Sequence, residues 1–72
     1  MTVYSLTETG GNAGCYGVFS SEEKATATAM KLIKEEWEYD DAEETIWDGF
    51  SKNIYYSDGQ FEIWKHELDD AI

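Results

Sequence analysis

One amphipathic helix pattern constrains the fold of this chain more than any other feature. Ser20 and Glu23 have the spacing of a capping box, the pattern that starts a helix. Apolar residues then recur at three- and four-residue steps from Ala25 to Trp37, which places them along one helix face. The pattern predicts a helix from about residue 21 to residue 38, whose apolar face needs another element to pack against.

Strand-like segments lie on both sides of this helix. They are rich in β-branched and aromatic residues, and they cover residues 2–8, 15–19, 53–57 and 60–68. The glycine-rich stretch at residues 10–14 joins the first pair, and Asp58-Gly59 is a hairpin turn signal between the last pair. The order is β-β-α-β-β. We expect one α+β domain over residues 1–72, with an antiparallel β-sheet, one amphipathic helix packed on one face, and a frayed tail at residues 69–72.

The sheet is expected to be apolar on both faces. Alternation along the strands assigns one face to Val3, Cys15, Phe19, Phe61 and Ile63, and the other to Tyr4, Leu6, Tyr16, Val18, Trp64 and Leu68. One helix covers only one of these faces. The second face is then either covered by residues 41–51, which read as a helical turn or an irregular loop, or exposed as an aromatic patch for a homodimer or a partner.

Acidic residues outnumber basic ones by sixteen to five, no arginine is present, and the formal net charge is −11. Eight of the acids fall between Lys34 and Lys52, where no basic residue interrupts them: Glu35, Glu36, Glu38, Asp40, Asp41, Glu43, Glu44 and Asp48. Those near the helix end oppose the helix dipole. Charge of this sign disfavours nucleic acid and anionic lipid as direct ligands, because both need basic contacts. The eleven aromatic residues nevertheless indicate a folded domain rather than a disordered acidic tail.

The sequence also predicts where the protein works. No segment has the basic start and apolar run of a secretion signal, and no apolar run approaches the ~20 residues of a membrane span. The single cysteine, Cys15, cannot form an internal disulfide, which fits a reducing compartment. We therefore expect a soluble protein of the cytoplasm, that of the host cell if a phage encodes it, with no membrane partner.

The residue types needed for catalysis are scarce. Cys15 and His66 are the candidates for nucleophile and base besides hydroxyl groups, and a domain this small rarely builds the pocket and the orienting group that they need. The glycine-rich stretch at residues 10–14 precedes a strand, whereas a phosphate loop precedes a helix. The acids do not follow the spacing of a calcium loop. We expect no enzyme, no catalytic residues, no cofactor and no structural metal site.

Three different short motifs lie along the chain: Val3-Tyr4-x-Leu6, Gly17-Val18-Phe19-Ser20-Ser21-Glu22-Glu23-x-Ala25, and Phe61-x-Ile63 followed by Glu67-Leu68-Asp69. In this combination the chain resembles a group of small uncharacterised bacterial and phage proteins with a hairpin, a similar helix start and a similar final strand. The resemblance covers roughly half of the residues and implies a fold only, since that group has no established activity. The chain departs from the group in its longer acidic insert, residues 35–51, which is a candidate for a specialised function.

In size and charge the chain is similar to phage anti-defence proteins, including anti-CRISPR and anti-restriction inhibitors, several of which mimic DNA. Carboxylates two to four residues apart on a helix lie at separations comparable to those of phosphates on a DNA strand. The basic groove of a host nucleic-acid-binding protein would therefore accept them in place of phosphates. The predicted partner-binding residues are Glu35, Glu36, Glu38, Asp40, Asp41, Glu43, Glu44 and Asp48, with Tyr39 and Trp47 as aromatic anchors.

Two functions follow from these patterns. The leading prediction is an acidic phage-type inhibitor that blocks the nucleic-acid-binding surface of a host defence protein such as a CRISPR effector or a restriction factor. The alternative is a small dimeric scaffold or adaptor that uses the exposed aromatic sheet face, with the negative charge serving solubility.

Overall fold

The computed structural model describes residues 1–68, in which five antiparallel strands form one sheet that carries a helix. In chain order the elements are β1 Thr2–Glu8, β2 Gly14–Phe19, α1 Glu22–Lys31, β3 Glu43–Glu44, β4 Ser51–Tyr56 and β5 Gly59–Glu67, and the sheet order is β2-β1-β5-β4-β3. The α+β class is confirmed, and each of the four predicted strands lies within two residues of its expected bounds. The tail expected at residues 69–72 lies outside the described residues. No helix in the described range is both long and apolar enough to cross a membrane.

The fifth strand, β3, lies in the segment predicted as a helical turn or an irregular loop. This two-residue strand pairs with β4 and brings the sheet to five strands rather than four. Beyond β3 the chain continues along β4: the Thr45 N–H donates to the Asn53 carbonyl at 2.8 Å, and the Asp48 N–H to the Ser51 carbonyl at 3.2 Å. The outer edge of β4 is thereby occupied. The predicted irregular loop is found in residues 45–48, and the prediction was wrong at Glu43 and Glu44. Glutamates are poor strand formers, and here backbone pairing overrides that preference.

The helix begins one residue later than the capping-box pattern indicated. Ser21 is the N-cap, with an extended φ of −148°, and its hydroxyl accepts the Lys24 N–H at 3.2 Å. On the helix face that was predicted to be apolar, Ala25, Ala29 and Ile33 are fully buried. The predicted orientation of the helix is therefore confirmed.

The helix closes through a π-helical turn, Leu32–Glu36, instead of continuing to residue 38. The Trp37 N–H donates to the Leu32 carbonyl at 2.9 Å, and the Tyr39 N–H donates to the Ile33 carbonyl at 2.8 Å. Between them Glu38 takes a left-handed conformation with a φ of 59°. Glycine is usual at such a helix end, and the left-handed conformation costs any other L-residue roughly 1–2 kcal/mol.

The side of the sheet beneath the helix differs from the face assignment made from alternation. Strands β1 and β5 align so that Leu6 lies opposite Ile63, and both side chains are fully buried. Tyr4 shares this side, whereas Val3 and Cys15, which were grouped with Ile63, lie on the other. The assignment was wrong because alternation within a strand does not fix how two strands align, and the register does.

A β-bulge at Tyr16 is the second departure from the expected alternation. The pairing of β1 with β2 shifts between Leu6 and Thr7, so Tyr16 has no residue directly opposite it. Phe19 and Tyr16, three residues apart, therefore both pack against the core. The Tyr16 ring meets the Phe61 ring edge-on, with centroids 5.4 Å apart.

The face opposite the helix is uncovered in the part of the chain that the structure describes. Trp47 packs on Tyr4 on the helix side, with ring centroids 5.7 Å apart, so the expectation that residues 41–51 cover the second face is wrong. On the uncovered face Val18, Tyr55 and Trp64 are 61%, 43% and 45% exposed. Polar residues of β1, β4 and β5 share this face, which is therefore mixed rather than a continuous aromatic patch.

Candidate acidic interface

Four exposed carboxylates follow one another where the helix ends. Glu35 and Glu36 belong to the π-helical turn, Glu38 is the left-handed residue, and Asp40 lies in the segment that follows. We call these four residues the acidic end. Within residues 1–68 none of the four forms an ion pair. The negative end of the helix dipole adds to their charge, so this surface attracts cations.

Two hydrogen bonds hold the acidic end against the turn between β4 and β5. The Tyr39 hydroxyl donates to the Asp58 carboxylate, and the Tyr39 ring packs on Tyr56 with centroids 5.0 Å apart. The Ser57 hydroxyl donates to the Asp41 carboxylate. The bond to Asp58 raises the pKa of Tyr39, and the bond from Ser57 lowers the pKa of Asp41. Tyr39 and Asp41, which were predicted to contact a partner, thus each form a hydrogen bond within the chain, although the Asp41 side chain is exposed.

Glu44 forms an ion pair with the buried Lys52. The Lys52 Nζ lies 2.7 Å from Glu44 Oε1 and 3.0 Å from Glu22 Oε1, and it donates to Thr26 Oγ1 at 3.2 Å. Burial alone would lower the pKa of Lys52, but the two carboxylates outweigh it and raise that pKa. The charge of Glu44, a predicted partner-binding residue, is thus matched within the chain by a lysine that joins β3, β4 and α1.

Asp48 and Trp47 lie at the other end of the sheet from the acidic end. The Asp48 carboxylate accepts the N–H groups of Phe50 and Ser51 at 2.9 and 2.8 Å, and these bonds lower its pKa. Trp47 is half-buried against Tyr4. Both residues hold the segment before β4 in place, and neither forms a common surface with the acidic end.

The ten predicted partner-binding residues therefore do not form one surface. Strand β4 separates the Asp48 region from the acidic end by roughly 17 Å, at ~3.3 Å per residue. Glu43 is exposed, but it lies on the edge strand β3 opposite Tyr55. The contiguous part of the prediction is the acidic end together with the neighbouring Tyr39 and Asp41.

A groove of about 470 Å³ opens beside the acidic end. The helix contributes Thr28, Lys31, Leu32 and Glu36 to it, and the other wall is formed by Asn12, Tyr16 and Trp37. Sequence patterns did not predict this groove, because its walls come from the helix, the loop at residues 9–13 and β2. Only the apolar spacing of Leu32 and Trp37 hinted that this side of the helix meets other residues.

A buried polar network fixes the loop that forms one wall of the groove. Glu8 is 2% exposed, and its Oε2 accepts the Asn12 N–H at 3.0 Å and the Tyr56 hydroxyl. The Asn12 side chain donates to the Tyr56 hydroxyl at 3.2 Å, and the Tyr16 hydroxyl donates to the Asn12 carbonyl. Burial raises the pKa of Tyr56 to about 12, with the Glu8 carboxylate acting in the same direction. The other oxygen of Glu8, Oε1, is buried without a hydrogen-bond partner in the described residues.

The glycine-rich loop serves this packing. A Cβ on Gly10 would lie 2.5 Å from the Asp58 carbonyl oxygen, so only glycine fits there. The neighbouring Gly11 N–H donates to the same carbonyl at 2.8 Å. The glycines thus bring the loop at residues 9–13 against the turn that also holds the acidic end.

The two residues considered for catalysis lie on the uncovered sheet face. His66 Nε2 is 2.9 Å from Ser5 Oγ, and Cys15 is exposed near the β2 edge. The structure therefore pairs His66 with a hydroxyl rather than with the thiol. Within residues 1–68, no group of three or more histidine, cysteine or acidic side chains is arranged to hold a metal ion.

No family model, no curated protein and no solved structure matches this chain. The resemblance to small bacterial and phage proteins stays a prediction.

Proposed function

We propose that this protein is a small acidic inhibitor that binds a nucleic-acid-handling protein of a host defence system and occupies its basic groove. The acidic end, Glu35, Glu36, Glu38 and Asp40, supplies the contacts. Its carboxylates take the positions of phosphates and accept hydrogen bonds from the lysines and arginines of the groove. The proposal places the protein in the cytoplasm of the host cell, acting without direct contact to nucleic acid or membrane and without enzymatic activity.

The observation that carries the proposal is the contrast between the acidic end and the other acids of the same insert. Asp41, Glu44 and Asp48 are matched by Ser57, Lys52 and backbone N–H groups. The acidic end has no ion pair in the described residues, although it lies at the unfavourable end of a helix dipole. An unfavourable charge arrangement on a segment that is held by hydrogen bonds suits a binding surface for a basic partner.

The test is competition with DNA. The purified protein is added to a set of CRISPR effectors and restriction enzymes, and the binding of labelled DNA to each is followed by fluorescence anisotropy. We expect displacement of DNA from at least one of them, with an inhibition constant that weakens steeply as salt is raised. Changing all four residues of the acidic end to Gln or Asn should abolish the displacement.

A pair of double variants provides the matched control. The first double variant combines Glu36→Gln with Glu38→Gln, and the second combines Glu23→Gln with Glu43→Gln. Both change the net charge equally, but only the first alters the acidic end. We expect the first to weaken inhibition and the second to leave it nearly unchanged. An equal loss of inhibition in both double variants would show a general charge effect. The proposal would be contradicted if DNA were displaced from none of the proteins in the set.

The uncovered sheet face supports a second candidate function, a dimeric scaffold or adaptor. Val18 and Trp64 lie on that face, in one row across the sheet with Ser5 and Ser51, and both are well exposed. Sedimentation at low and high salt distinguishes the two functions. A dimer that Trp64→Ser dissociates favours the scaffold, whereas a monomer at both salt concentrations favours the inhibitor.

A further inference from the structure

The groove beside the acidic end combines a carboxylate with aromatic surface. Glu36 belongs both to the groove and to the acidic end, while Trp37 and Tyr16 supply rings to the lining. The Trp37 indole stacks on Phe61, with centroids 5.6 Å apart and planes at 4°, so the ring is held rigidly against the sheet. The aromatic wall of the groove is therefore preformed.

The position of the groove favours a cation. It lies along the last turns of the helix, at the negative end of the helix dipole. Exposed carboxylates of Glu35 and Glu38 adjoin Glu36 in sequence and add to the negative potential. Aromatic rings next to a carboxylate suit a guanidinium group in particular, since that group is planar, stacks on rings and donates two parallel hydrogen bonds to a carboxylate.

From this geometry we propose that the groove receives an arginine side chain of the basic partner, with the guanidinium group between Glu36 and the rings of Trp37 and Tyr16. The proposal rests on the proposed function and deepens it, because it names the residue that the partner inserts. It also explains how a surface of charges gains specificity, since surface ion pairs alone contribute little affinity.

Lys31 makes the proposal sharply testable. It lines the same groove, is exposed, and forms no ion pair within residues 1–68. Its ammonium group opposes an incoming guanidinium. Removing the Glu36 charge should therefore weaken arginine binding, whereas removing the Lys31 charge should strengthen it.

The experiment is an NMR titration of the full-length, ¹⁵N-labelled protein with N-acetyl-arginine amide, N-acetyl-lysine amide and the uncharged N-acetyl-citrulline amide. The Trp37 indole N–H signal reports on the groove. Trp64 is the internal reference, because its Nε1 donates to the Glu62 carboxylate at 3.0 Å outside the groove. We expect saturable shifts at Trp37 with arginine, weaker ones with lysine, and at least about fivefold weaker binding of citrulline.

Three variants complete the test. We expect Glu36→Gln to weaken arginine binding by about fivefold and Lys31→Gln to strengthen it by about twofold to fivefold. Thr28→Phe fills the groove without changing any charge and should abolish binding, with the dispersion of the amide spectrum showing that the domain stays folded. Equal affinity for arginine and citrulline, shifts at Trp64 as large as those at Trp37, or no effect of Glu36→Gln would overturn the proposal.

The two proposals can fail separately. Thr28→Phe retains all four carboxylates of the acidic end. If the amino acid derivatives do not bind and DNA is still displaced from a defence protein, the groove proposal falls and the inhibitor function stands. If the arginine derivative binds as expected and no DNA is displaced, the inhibitor function falls and the arginine site remains.

Discussion

Lys52 and Glu44 form an ion pair of 2.7 Å that joins the two-residue strand β3 to its neighbour β4. The same ammonium group also binds Glu22 in the first turn of the helix, so three elements meet at one lysine. A chain with sixteen acids and five lysines places one of its few cations where it neutralises two acids at once. Negative charge is therefore partly neutralised at this point, although the domain as a whole carries a large net negative charge.

Replacing Lys52 should therefore destabilise the domain strongly. Lys52→Met leaves Glu22 and Glu44 near one another without the cation. Because Lys52 is buried but Glu44 is 42% exposed, we expect a loss of about 1–3 kcal/mol, between the values for surface and buried ion pairs. Urea unfolding followed by tryptophan fluorescence measures the change. Lys24→Met is the control, because Lys24 is exposed and outside any ion pair of residues 1–68, and we expect it to stay within about 0.5 kcal/mol of the wild type. Equal effects of the two substitutions would contradict the assigned role of Lys52.

Glu38→Gly should stabilise the domain. Glycine removes the strain of the left-handed φ of 59° and also a negative charge at the helix end, for a gain of about 1 kcal/mol. Glu36→Gly, two residues earlier in the helical turn, should instead destabilise by about 0.5–1 kcal/mol, because glycine is unfavourable inside a helix. Thermal unfolding of the two variants should move in opposite directions, and a lower midpoint for Glu38→Gly would show that Glu38 makes a compensating contact.

The acidic end should oppose folding while it serves binding. Changing its four residues to Gln or Asn removes mutual repulsion and unfavourable interactions with the helix dipole, so we expect a gain of about 1–2 kcal/mol at low salt. Urea unfolding at low and high salt checks this, and the gain should shrink as salt screens the charges. A less stable variant would mean that these carboxylates contribute to the fold, and loss of binding in that variant would then have to be ascribed to unfolding.

Acid should weaken the domain partly through Asp48. Its pKa is lowered in the folded protein, so its contribution to stability is complete above its ordinary pKa of 3.8 and disappears as the pH falls through the lower folded value. Asp48→Ala should therefore be less stable than the wild type at neutral pH, and the difference should shrink in this acidic range. Asp40→Ala is the control for the lost charge, because Asp40 is exposed and forms no ion pair in the described residues. A difference between Asp48→Ala and wild type that does not change with pH would contradict this role of Asp48.

Alkali should act through Tyr56. Its pKa is raised from 10.0 to about 12, so the unfolded chain ionises this tyrosine first, and the stability it provides is lost between those values. A spectrophotometric titration of phenolate should show late components from Tyr56 and from Tyr39, whose pKa is also raised, and Tyr56→Phe should remove one of them. That variant should also lose less stability than the wild type as the pH rises through this range. A phenolate titration of Tyr56→Phe identical to that of the wild type would contradict the assignment.

The sequence predicted what depends on local patterns. The helix face of Ala25, Ala29 and Ile33 and the four longer strands follow from periodicity and turn residues, which act within a few positions. Register and long-range pairing are different, because they depend on which segments meet. Nothing near Lys52 shows that it will bind both Glu22 and Glu44, and nothing near Asp48 shows that its carboxylate will cap the next turn.

The candidate site illustrates the same limit. Counting acids identified residues 35–48 correctly as the most acidic part of the chain, but it could not separate carboxylates that have a partner within the chain from those that have no ion pair there. The groove was missed for the same reason, since Asn12 and Glu36 come together only through the fold. Charge density along a sequence therefore indicates a region, while the fold decides which of its charges are matched within the chain.

The way in which residues 45–48 occupy the outer edge of β4 has a consequence for assembly. Thr45 and Asp48 supply hydrogen bonds that another chain would otherwise make to β4, so the two outer strands of the sheet within residues 1–68 are the six-residue β2 and the two-residue β3. Growth of a fibre by edge-to-edge pairing needs two usable edges on every molecule. The short, acidic β3 offers few backbone groups and disfavours such pairing, so a second copy would pair more readily along β2.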